Sequence, residues 1–168
     1  MAEKSNPRDV YSSNMYARIM EALQKVPLFS NLEKPEMEVL SRHMYHYEVH
    51  EGDVVFLEGE KGGYMCFVAQ GTLDVSKSVP GKGPVVINRV ERGQSIGEMS
   101  VVDDFPRSAN VMAKTDSILV TLSRADFEEI LVRHPSLGIR ILEGLTRLLS
   151  INLRRTSTQL ADYMLPLV

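Results

Sequence analysis

Residues 45–122 cannot be folded as a set of helices. Over this stretch the hydrophobic period is two and each run is short. Tyr45, Tyr47 and Val49 alternate with His46, Glu48 and His50, the pattern of a half-buried strand. Further strands are predicted over Val54 to Leu57, Tyr64 to Ala69, Leu73 to Lys77, Val85 to Val90, Ser108 to Ala113 and Ser117 to Leu122. Turns separate them at Gly52-Asp53, Glu58 to Gly63, Gln70-Gly71 and Arg92-Gly93. Val79 to Pro84 is predicted to be an exposed hairpin loop, because its prolines cannot donate to a ladder inside a sheet. Many short strands at near-regular spacing argue for an antiparallel barrel or jelly roll.

Helices flank this region. From about Asn14 the residues Met15, Ile19, Ala22, Leu23 and Val26 share one face, until Pro27 stops the run. Pro35 can open a second helix to about Arg42. Ser123 is a good N-cap for a helix over Asp126 to Val132, and Pro135 then opens a long one over about 136–161. That long helix carries two apolar stripes, Leu137, Ile141, Leu148 and Ile151 on one and Leu142, Leu145, Leu149 and Leu153 on the other. Two apolar faces need two partners: the barrel for one, a second copy of the helix for the other. The 168 residues suit one domain, 13–168, behind a frayed polar tail of residues 1–12.

Residues 96–113 carry the chemistry. Gly97 lets a ligand approach the main chain, and a helical turn over Glu98 to Val101 would aim free N–H groups at an anion. Arg107 supplies a planar guanidinium that can grip a phosphate through paired hydrogen bonds, and Ser108 adds a hydroxyl. Glu98 would be repelled by phosphate, so its use is to accept bonds from sugar hydroxyls nearby. Phosphate on one side and sugar hydroxyl on the other describe a small nucleotide.

Gly97-Glu98-Met99, seven residues, then Arg107-Ser108-Ala109-Asn110-Val111-Met112-Ala113 resembles the phosphate-binding cassette of cyclic-nucleotide-binding domains. The resemblance extends to Val26-Pro27-Leu28-Phe29-Ser30, to Gly52, Gly59 and Gly71, and to Phe127 to Pro135, covering roughly residues 15 to 160. The Arg-Ser-Ala triplet is most similar to that of the bacterial catabolite activator. The resemblance implies an eight-stranded β-roll with N-terminal helices and a long C-terminal helix. It implies a cyclic nucleotide as ligand, cyclic AMP favoured over cyclic GMP, with no further cofactor. Phosphate would lie on Arg107, Ser108 and the N–H groups of Gly97, Met99 and Ser100, ribose on Glu98, and base under the long helix. Asn152 falls where the activator's helix presents a hydroxyl to the base; an amide there can pair with adenine or set register in a helix seam. Leu153 stands where the activator has a second hydroxyl. The resemblance also implies a switch in which the long helix rests differently with and without ligand.

Other readings are weaker. A net charge of −3 gives no nucleic-acid footprint. No apolar run has the length of a membrane span, and the polar N-terminus has no signal core, so a cytoplasmic protein is expected. Cys66 stands alone in an apolar stretch and is expected to be buried and inert. His43, His46 and His50 are expected on a solvated strand face, with no metal site. Asp103 and Asp104 are read as loop solvation. No grouping of nucleophile, base and acid appears, so a binding module and not an enzyme is expected. The leading expectation is a stand-alone sensor, without its own DNA-binding domain, that acts through homodimerisation or a protein partner. The rivals are a fragment of a longer transcription regulator or channel, and a structural dimer that has lost its ligand.

Overall fold

A computed structural model describes residues 13–103 and 105–165. Helix α1 spans Ser13–Lys25, a 3-10 turn covers Pro27–Phe29, and α2 spans Lys34–Ser41. Glu33 and Glu36 close a reciprocal capping box at the start of α2. Eight strands follow: β1 Met44–Val49, β2 Val54–Phe56, β3 Tyr64–Gln70, β4 Thr72–Val79, β5 Gly83–Glu91, β6 Ser95–Ile96, β7 Asn110–Ala113 and β8 Ser117–Ser123. The short helix α3, Glu98–Val102, lies between β6 and β7; α4, Arg124–Arg133, and α5, Pro135–Met164, close the chain. All pairings are antiparallel, in two four-stranded sheets ordered β1-β8-β3-β6 and β2-β7-β4-β5. No described helix is long and apolar enough to cross a membrane.

Strand alternation divides the apolar residues between two cores. On β3, Cys66 and Val68 face the other sheet and join Val49, Phe56, Leu73, Val111 and Leu119 inside the roll. Met65 and Phe67 face the opposite way, into a second core built with α1, the 3-10 turn, α2, α4 and α5. Ile130 of α4 and Leu137, Ile141 and Leu145 of α5 belong to that outer core, and so does Val101 of α3. Added carbon at Gly144 would collide with the Leu28 carbonyl oxygen, so α5 crosses the 3-10 turn at close range.

Several expectations need correction. The loop after β4 is confined to residues 80–82. Val79 and Gly83 are paired, and Pro84 opposes Ser78, which is possible because β5 is an edge strand that needs no donor on its outer side. Strand β6 went unseen, since two residues against Cys66 and Phe67 leave no periodic signal. The histidines do not share one solvated face. His50 is exposed, whereas His46 is turned toward the helical layer with its Nε2 buried, 3.9 Å from Glu48 Oε1 and without a hydrogen bond. His43 lies half-buried, 3.9 Å from Asp126, and with Glu129 forms a group whose ligand-type atoms lie within 4.8 Å of one another. Glu129 is held by Arg133 at 3.1 Å. Of the two α5 stripes, the inward one is Leu137, Ile141, Leu145 and the partly buried Leu148; Ile151 is exposed. The predicted tail, 1–12, lies outside the described residues.

Candidate functional site

The site is the segment from Ile96 to Ala109, held between β6 and β7. Gly97 precedes α3 with φ of +86°, and a Cβ there would meet Arg107 Nη1 at 2.5 Å and the Phe56 ring at 2.9 Å. Only glycine fits both the backbone and the space. The short α3 then alternates its side chains: Glu98 and Ser100 turn inward and Met99 outward.

Arg107 is 6% exposed. Its Nη1 donates to the Gly97 carbonyl at 3.2 Å and its Nη2 to the Tyr64 carbonyl at 2.7 Å. The guanidinium carbon lies 3.5 Å from the Phe56 ring centroid and 5.0 Å from that of Tyr64, and the two rings meet edge to face. Burial pulls the Arg107 pKa down, and the ionisable groups of Cys66, Tyr64, Glu60 and Glu98 oppose that pull. The fork is thus seated on two carbonyls and an aromatic pair, which engage two of its five N–H donors.

Glu98 is equally buried, and its Oε2 has no hydrogen-bond partner. Burial raises its pKa; a bond from its own backbone N–H and the nearby Arg107 charge oppose this less strongly. A buried carboxylate oxygen left unpaired is costly, and such groups mark sites that wait for a donor. Arg107 and Glu98 line one narrow cleft of about 60 Å³ together with Ile96, Phe56, Ser100 and Ser108. That volume admits a phosphate-sized group, so a larger ligand must extend out over the open side.

The residues expected in the cassette are therefore brought together: Gly97, Glu98, Met99, Ser100, Arg107 and Ser108 all line the cleft. Asn152 is not brought to them. It is exposed, it does not line the cleft, and α5 packs chiefly on α4 and the 3-10 turn. Asp103 is exposed and accepts from the Phe105 N–H, a local turn; Asp104 lies outside the described residues.

Sequence reasoning missed four supports of the site. Phe56 and Tyr64 form the aromatic floor beneath Arg107. The Lys77 ammonium, at the far end of β4, bonds Glu58 and donates to the Ser108 carbonyl at 2.6 Å, pinning the loop behind Arg107. Arg124, at the start of α4, donates through Nη2 to the Ser100 carbonyl. Phe56 and Tyr64 fell within predicted strands without a site role, and Lys77 and Arg124 act on backbone carbonyls that no sequence motif records.

The sequence model of the cyclic nucleotide-binding domain matches residues 47–134. A cAMP-dependent protein kinase regulatory subunit of Blastocladiella emersonii is 33% identical over 133 residues, which cover 79% of this chain and 33% of that protein. Like this one, other curated relatives share with the chain about a third of their length. Among solved structures, a cyclic nucleotide-binding domain from Methylobacillus flagellatus KT is 31% identical with a TM-score of 0.78, covering 92% of this chain and 85% of that one. The catabolite activator protein of Thermus thermophilus is 26% identical with a TM-score of 0.72, covering 82% of this chain and 62% of that one.

Proposed function

The chain belongs to the cyclic nucleotide-binding domain family and is a regulatory domain of that kind, and from this premise we propose that it is a cyclic AMP sensor. The observation that carries the reading is the pairing, in one cleft, of a buried cation whose fork is only partly used with a buried carboxylate oxygen that lacks a donor. A 3′,5′-cyclic nucleotide has one anionic phosphate and a single free ribose hydroxyl, which complements that pair. Arg107, Ser108 and the N–H groups of Gly97, Met99 and Ser100 hold the phosphate, and Glu98 accepts from the hydroxyl. Cyclic GMP is the competing ligand. The chain's own role is binding rather than catalysis.

The output passes through α5. From residue 150 onward every described residue of this helix is exposed, including Ile151, Leu153, Leu160 and Tyr163. Ile139, Leu142, Thr146, Leu149, Leu153, Thr156, Leu160 and Tyr163 follow one another at alternating spacings of three and four, a seam suited to a second copy of the helix. Asn152 borders that seam and meets either the base or the partner helix once the dimer forms. A protein partner then reads the dimer.

Calorimetric titration with cyclic AMP and cyclic GMP, on the native protein and on Arg107→Ala, tests the reading. One nucleotide binds with one site per chain, and the variant binds it at least about a hundredfold more weakly, as loss of charge-assisted hydrogen bonds requires. No heat from folded native protein at millimolar nucleotide, or equal binding by the variant, refutes it.

A further inference from the structure

The roll has a second concavity that the cassette does not use. It opens at the end of the barrel where β2 is short, and its volume is about 450 Å³, within the range of small-molecule sites. Val55 and Thr121 form its inner surface, Cys66 and Leu119 lie sealed just beneath, and the Ser123 hydroxyl beside them is already committed to Asp126. Its rim explains three otherwise unaccounted apolar exposures: Tyr47 is 60% exposed, Val54 52% and Tyr64 37%. No charged side chain lines it. An ion entering would lose hydration without a partner, whereas a neutral, flat aromatic molecule would lie against Val55 and cover the rim rings. The Thr121 hydroxyl donates to the Tyr45 carbonyl at 3.4 Å, which leaves its oxygen lone pairs to accept from a ligand donor. The space lies between β2 and the paired strands β1, β8 and β3, and about 450 Å³ is the size of a small molecule rather than of a helix.

We propose that this concavity is a second ligand site, for a neutral aromatic small molecule, and that it communicates with the cassette through Tyr64. Tyr64 lines the concavity, its carbonyl accepts from Arg107 at 2.7 Å, and its ring packs on Phe56 at a centroid distance of 5.3 Å. Moving this one residue therefore moves the seat of the phosphate-binding guanidinium. Binding there is reversible and not covalent, because burial pushes the Cys66 thiol up to about 12, far from a reactive thiolate. The site itself stands without the nucleotide reading; the communication rests on it.

N-phenyl-1-naphthylamine, a neutral aromatic fluorophore, is the probe. Titrated into the full chain, it gives saturable, blue-shifted emission at one site per chain. Thr121→Phe, which fills the space from within, removes that emission while keeping the thermal transition. Tyr47→Ala, at the exposed rim, weakens probe binding about fivefold or more. At saturating probe the cyclic nucleotide affinity of the native protein shifts about threefold or more, and Tyr64→Leu abolishes the shift. Absence of saturable emission, or emission unaltered in both folded Thr121→Phe and Tyr47→Ala, overturns the site. Probe binding with an unchanged nucleotide affinity overturns the communication alone. Probe binding without any nucleotide binding separates this site from a failed sensor reading.

Discussion

Glu98 shows how one residue trades stability for readiness to bind. Folding buries its carboxyl and raises its pKa, so the folded chain keeps a proton over a pH range in which the unfolded chain has released it. Stability is therefore greatest below the ordinary value of 4.5, falls as pH rises through the raised folded value, and stays lower above it. Glu98→Gln removes that slope. At neutral pH it raises the melting temperature, since a neutral amide replaces a carboxylate whose charge folding strips of water. The same variant weakens nucleotide binding. Thermal melts of both proteins across pH 4 to 8 check the sign, and parallel curves would contradict it. Glu98 and Arg107 were legible in the sequence because their chemistry lies in the side chain and their spacing is fixed by the short α3. The bonds of Arg107 to the Tyr64 carbonyl and of Lys77 to the Ser108 carbonyl were not, because carbonyl oxygens are the same in every residue.

At the scale of elements, α5 behaves as two helices joined end to end. Its first half is anchored by Leu137, Ile141 and Leu145 in the outer core and by the close approach of Gly144 to Leu28. Among the described residues nothing covers its second half. A helix of this length that exposes Leu153 and Leu160 on one seam gains by pairing, and about 25 cal/mol per Å² of apolar surface removed from water favours it. Leu153→Glu combined with Leu160→Glu converts the proposed dimer to a monomer by sedimentation velocity without lowering the melting temperature of the roll. A native protein that is monomeric at high micromolar concentration would contradict the seam. The two stripes were readable from helical period, but not their division, because which residues face the 3-10 turn depends on the crossing at Gly144. Strand β6 and the extension of β5 through Pro84 were hidden for a related reason: edge position and cross-strand register decide them, and neither leaves a local pattern.

At the scale of the whole molecule, the two cores share strand β3 but only the outer one joins the cassette to α5. Val101 of α3 lies in that core with Phe67, Ile130 and Leu137, and the Arg124 bond to the Ser100 carbonyl adds a polar link from α3 to α4. A ligand that repositions α3 thereby alters the surface on which α4 and α5 rest, which is the differential contact a switch needs. Amide hydrogen exchange in α4 and in residues 135–148 of α5 changes on nucleotide binding, and the change shrinks in Val101→Ala although the nucleotide still binds. Protection altered only within residues 96–113 would contradict this route.

The central claim is that the unpaired oxygen of Glu98 awaits the ribose hydroxyl of a cyclic nucleotide whose phosphate lies on Arg107. The most direct measurement is a four-way titration of native protein and Glu98→Ala with cyclic AMP and 2′-deoxy cyclic AMP. The account predicts that native protein binds the deoxy nucleotide about tenfold to a hundredfold more weakly, the worth of one hydrogen bond to a charged group, while Glu98→Ala hardly distinguishes the two. Equal affinity of the native protein for both nucleotides would contradict it.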